Sequence, residues 1–112
     1  MNEHERESAP EYPLIPGNPT ERPIKQGQIW RHKDGGAYSI DEVDEEPHDT
    51  TLYEAFGILG RTVHYTQLDQ GSFPPGYKWE KNDHAFVGKV MINGQEVEIF
   101  TLEQDVDDSA GN

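Results

Sequence analysis

The chain has 112 residues, of which 32% are apolar, and its mean hydropathy is -0.91, so it has room for one domain with a small core. No apolar run is long enough for a membrane span or a secretory core, and the absence of cysteine removes disulfides, thiolate zinc sites and a cysteine nucleophile; a reducing, cytoplasmic setting is expected. Twenty-two Asp and Glu against nine Lys and Arg give a formal charge of -13, which argues against direct nucleic-acid binding, because affinity for phosphates comes from clustered cations, and favours a basic protein partner.

Residues 1–23 carry five glutamates and prolines at 10, 13, 16, 19 and 23, with no periodic apolar pattern. Such a segment buries too little to offset its ordering entropy and is expected to be a disordered arm, although Tyr12, Leu14 and Ile15 have the character of a stretch that lies extended against a partner or against the domain itself. A first strand is expected within residues 24–33. Asp34-Gly35-Gly36 tolerates positive φ and predicts a hairpin, with Tyr38 and Ile40 of the returning strand on one face.

Six of the nine positions from Asp41 to Asp49 are acidic, and with Pro47 the segment reads as a loop. Residues 51–58 and 61–68 are rich in β-branched and aromatic side chains, which predicts a second hairpin across Leu59-Gly60. Residues 69–77, with Gly71, Pro74, Pro75 and Gly76, read as a long surface loop. The clearest local signal is Asn93-Gly94, the preferred sequence of a type I′ turn; it sets Val90 opposite Val97 and puts Val90, Ile92, Val97 and Ile99 on one buried side. From Glu103 onward, Asp105, Asp107 and Asp108 mark an acidic tail expected to be disordered, and no helix longer than a turn is predicted. The expected organisation is an all-β domain over residues 24–102, an antiparallel barrel of five to six strands between disordered ends.

The middle of the chain resembles a family of small bacterial and phage domains whose activity is not established. That family shows aromatic-Arg-His-x-Lys-Gly-x-x-Tyr, then Tyr-x-x-Leu, then Trp-x-Arg-Pro-x-x-x-Phe. The matching residues here are Trp30-Arg31-His32-Lys33-Asp34-Gly35-Gly36-Ala37-Tyr38, Tyr53-Glu54-Ala55-Phe56, and Trp79-Glu80-Lys81-Asn82-Asp83-His84-Ala85-Phe86. The lysine follows histidine directly, Phe56 replaces leucine and Lys81-Asn82 replaces Arg-Pro; the last departure matters most, because lysine lacks the planar fork of arginine. The resemblance implies an SH3-like barrel and a phage or mobile-element setting, and carries no activity with it.

Residues with chemical potential are plentiful, but their spacing is poor. Histidines at 4, 32, 48, 64 and 84 offer no i, i+2 or i, i+4 pair, so no metal site is expected. There is no Gly-x-Ser-x-Gly elbow and no glycine-rich phosphate loop leading into a helix, and a run of solvated carboxylates lacks the perturbed pKa that acid-base catalysis needs. No catalytic residue and no cofactor is expected, and the chain reads as a non-enzymatic, monomeric interaction module. The expected partner-binding face combines Asp41, Glu42, Asp44, Glu45, Glu46 and Asp49 with Trp79, Trp30 and Tyr77, acids beside aromatics suiting a basic partner. The sequence leaves open whether the two tryptophans are core or surface. Two alternatives stand beside this reading: a nucleic-acid mimic whose carboxylates occupy the site of a DNA- or RNA-binding enzyme, and a small-ligand domain with a pocket between Trp30 and Trp79.

Overall fold

The computed structural model describes residues 14–69 and 74–106. Eight strands and two single-turn helices follow one another as β1 (Leu14–Ile15), β2 (Ile29–His32), β3 (Ala37–Val43), α1 (Tyr53–Phe56), β4 (Thr62–Gln67), β5 (Lys78–Asn82), α2 (Asp83–Phe86), β6 (Lys89–Ile92), β7 (Gln95–Glu98) and β8 (Phe100–Gln104). The fold is all-β. Five strands form one antiparallel sheet in the order β5-β4-β3-β2-β8, and three form another in the order β1-β6-β7. Both contribute to one core, yet among the described residues neither sheet closes on itself or pairs with the other, so the expected barrel is replaced by two open sheets.

The chain changes sheet at Ile99, which is fully buried. Its N–H donates to the Gly88 carbonyl while its own carbonyl accepts from Lys33 N–H, so one residue is hydrogen-bonded towards both layers. Five interlocking aromatic rings lie within the core, among aliphatic side chains. Phe86 and Phe100 stack with centroids 4.1 Å apart, and Trp30 and Tyr65 meet Phe86 edge-on at 5.3 and 5.2 Å. Edge-to-face packing of this kind follows ring quadrupoles and adds to the burial term. Alternation is clean in β4, where Val63, Tyr65 and Gln67 point inward and Thr62, His64 and Thr66 outward.

The β2–β3 hairpin forms across residues 34–36 as the turn chemistry requires. Residues 51–58 do not form a strand. They make the single turn α1 inside a surface excursion, and β4 pairs instead with β3 and with β5, a strand that local signals did not single out. Tyr53 and Phe56 stand three apart, a helical spacing hidden by the β-rich composition around them. The expected acidic loop also begins later than Asp41, since β3 continues to Val43.

The packed domain starts at Leu14, not at residue 24. Leu14 and Ile15 pair with Val90 and Lys89, Leu14 is buried, and Gly17 N–H donates to the His84 carbonyl. Arg22 then crosses the seam between the sheets: its guanidinium donates to the carbonyls of Val87 at 2.9 Å and Phe100 at 2.5 Å, and lies 5.3 Å over the Trp30 ring. At the other end β8 extends past Glu103, and buried Gln28 links the termini of the domain, donating to the Pro23 carbonyl and the Asp105 carboxylate while accepting from Trp30 Nε1. The remainder of the expected arm, residues 1–13, and of the expected tail, residues 107–112, lies outside the described residues.

The β6–β7 register is the predicted one, Val90 opposite Val97, and both turn residues have positive φ, 52° at Asn93 and 80° at Gly94. The buried side is shorter than expected. Val90 and Ile99 are buried and Val97 partly so, but Ile92, next to the turn, is exposed. Gly94→Val puts a β-branched residue where φ must be positive and is expected to cost about 1–3 kcal/mol. A thermal melt reads this as a lowered midpoint; an unchanged midpoint would contradict the turn.

Candidate interaction surface

The six acids of the 41–49 segment fall into three groups by environment. Asp41 lies on the outward face of β3, accepts from Thr66 Oγ1 at 2.5 Å and stands 3.7 Å from Lys78 Nζ. Asp44 is held between two histidines, His64 Nε2 at 2.8 Å and His48 Nε2 at 3.2 Å, while the other ring nitrogen of His64 is 3.4 Å from Glu80. Glu42, Glu45 and Glu46 are exposed and carry no ion pair among the described residues. Their carboxylates face water.

Asp49 is different again. It is only 8% exposed, and its carboxylate accepts from Thr51 N–H at 2.9 Å, Thr62 Oγ1 at 3.0 Å and Asn82 Nδ2 at 3.1 Å. Burial alone raises its pKa, but the hydrogen bonds from Thr51, Asn82 and Thr62 outweigh it and hold the carboxyl below its ordinary value. This acid is a structural anchor. Its inclusion in the partner-facing set is therefore corrected: a carboxylate saturated by three internal donors has little left to offer a partner.

Asp49 also closes the neck of the excursion. Asp49 and Gly60 exchange N–H···O=C bonds of 2.7 and 3.1 Å, and Asn82 and Asp83 pack so tightly under Gly60 that a β-carbon there would lie 2.6 Å from their polar atoms. Asp83 accepts from Arg61 N–H, and Asn82 caps α2 by accepting from His84 N–H at 2.8 Å. Leu52 is fully buried and Ile58 packs against the core, which pins the loop from within. What the loop presents outward is Tyr53 at 58%, Phe56 at 38% and Leu59 at 47% exposure. Composition predicts a hairpin here, with Tyr53 and Phe56 in its first strand and Leu59 in its turn; the Tyr-x-x-Phe-Gly spacing is the signal that points to a helical turn instead.

The tryptophans separate. Trp30 is 1% exposed, roofed by Arg22 and bonded through its indole N–H to Gln28, so it is core and not part of any partner-facing surface, a second correction. Trp79 is half-buried on the edge strand β5, donating to Gln67 Oε1 at 3.3 Å with the Tyr77 ring 4.9 Å away. β3 and β4 lie between the strands that carry them, and the two indoles do not form one stacking pocket. A groove of about 420 Å³ runs elsewhere, between residues 18–25 and the side of α2, lined by Ile24, Val43, Arg61 and His84 among others.

No family model, curated protein or solved structure matches the chain. Among the described residues no group of three or more histidines and carboxylates is placed so as to hold a metal ion. No helix is long and apolar enough to cross a membrane.

Proposed function

We propose that the protein is a non-enzymatic interaction module that binds a partner protein with a basic surface, acting in the cytoplasm, and that Glu42, Glu45 and Glu46 form the acidic part of its binding face. The observation that carries this reading is the division of labour among the acids: Asp41, Asp44 and Asp49 are engaged internally, while these three stand in solvent within five residues of one another. Like charges so close repel one another, and a cationic surface relieves that repulsion. The exposed apolar side chains of the neighbouring excursion support a protein partner over the nucleic-acid-mimic alternative, because mimicry needs carboxylates and gains nothing from exposed Tyr53 and Phe56. The SH3-like resemblance is compatible with such a role, since small β-domains of that kind present loops for recognition.

The test compares the full chain with the Glu42→Gln/Glu45→Gln/Glu46→Gln variant as immobilised baits at about 50 mM salt, where surface charges are weakly screened. The expected result is a basic protein retained by the wild type and depleted severalfold on the variant. Equal retention of every captured protein by both baits contradicts the reading, and elution by double-stranded DNA marks the mimic instead.

A further inference from the structure

A surface loop that is tightly locked at its base usually has a reason to be rigid, and the 50–60 excursion is locked three times: by the Asp49–Gly60 bridge, by the Asp49 carboxylate on Thr51, and by buried Leu52. It nevertheless leaves three large apolar side chains in water. Singly exposed apolar residues need no explanation, but here three fall within seven residues of one loop that is fixed at its base, two of them, Tyr53 and Phe56, one turn apart on α1.

We infer that Tyr53, Phe56 and Leu59 are the apolar half of a docking surface for a basic amphipathic segment of a partner protein. This rests on the proposed function and names the chemistry of the partner. The charge beside these side chains selects the occupant: Glu54 lies in the same helical turn, and Glu45 and Glu46 stand four and three positions before the neck residue Asp49. A segment with lysines or arginines flanking an apolar stripe matches both halves at once. A second copy of the chain is disfavoured because both faces would bring carboxylates together, and an anionic lipid surface is repelled by a molecule of charge -13. Aromatic anchors act on dissociation while the surrounding charges act on association, so the two halves are separable.

The experiment uses the full chain and two synthetic peptides of 18 residues or so: one of Lys and Leu with leucine at i, i+3, i+4 and i+7 spacing, and one with each leucine replaced by serine. The wild type is expected to bind the Lys/Leu peptide about tenfold more tightly than the Lys/Ser peptide. Tyr53→Ser/Phe56→Ser should erase that difference and leave Lys/Ser binding unchanged, and Leu59→Gln, which touches a still more exposed side chain than Phe56, should reduce it in the same direction. Thermal melts establish that the variants are folded. Equal binding of the two peptides by wild type, or a preference that survives in the serine and glutamine variants, overturns the inference while leaving the acidic reading standing. The acidic reading fails separately if the Glu42→Gln/Glu45→Gln/Glu46→Gln variant binds both peptides as the wild type does. Sedimentation velocity supplies the remaining outcome: a wild-type dimer that becomes a monomer in the serine variant assigns the patch to a second copy and also overturns the inference.

Discussion

Phe100→Ala is expected to cost about 3–5 kcal/mol, enough to leave a domain of this size largely unfolded at room temperature. Phe100 opens β8 and is 1% exposed; besides stacking on Phe86 it meets Tyr38 and Tyr65 edge-on at 5.7 Å and His32 at 5.0 Å. Its backbone carbonyl is an acceptor of the Arg22 guanidinium, so the same residue joins the aromatic core to the strap formed by residues 14–22. Truncation removes the ring that the others surround, and neighbours anchored on three strands and on α2 cannot all collapse into the void. Phe100→Leu fills most of the volume and should cost under about 2 kcal/mol. Urea unfolding followed by tryptophan fluorescence measures both. A loss below about 1 kcal/mol for the alanine variant would mean that the two sheets do not share this core.

Asp49→Ala should cost about 2–4 kcal/mol, a large effect for an acid that sits among exposed glutamates in sequence. The substitution strands Thr51 N–H, Thr62 Oγ1 and Asn82 Nδ2 together, and Asn82 is itself fully buried. The neighbouring Glu45→Gln should change stability by no more than about 0.5 kcal/mol, since the side chain is exposed and makes no ion pair among the described residues. The direction of the Asp49 pKa adds a pH signature. A carboxyl whose folded pKa lies below its unfolded value of about 3.9 contributes stability that is present above that value and lost as pH falls through the folded pKa. Wild type should therefore lose part of its stability in acid below about pH 4, and Asp49→Asn should show a shallower loss over the same range. If wild type and Asp49→Asn have parallel stability curves from pH 5 to pH 2, the internal role of this carboxylate is wrong.

What the sequence made legible was local. The β6–β7 register and the β2–β3 hairpin follow from the residues of their own turns, Asn93-Gly94 and Asp34-Gly35-Gly36, and both are present. Elements that depend on a distant partner were not legible. Leu14–Ile15 is two residues long and becomes a strand only because Val90 and Lys89 lie beside it; β5 is recruited by β4, which would otherwise have no neighbour on that side. Asp49 and Glu46 look alike in a run of acids, and only the arrival of Asn82 from thirty-three positions away makes one of them structural. Trp30 and Trp79 were equally ambiguous until Arg22 closed over the first and left the second at a sheet edge. The acidity itself was plain from composition, but which carboxylates are spare is a property of the fold.

The most direct test of the central claim is the association rate of a captured basic partner with wild type and with Glu42→Gln/Glu45→Gln/Glu46→Gln, measured by stopped flow from about 20 to about 500 mM salt. Steering predicts a wild-type rate that falls steeply with salt, a variant rate that is severalfold slower at low salt and nearly flat, and convergence of the two at high salt. Identical rates at low salt would contradict the account and reduce the three glutamates to solubilising charge.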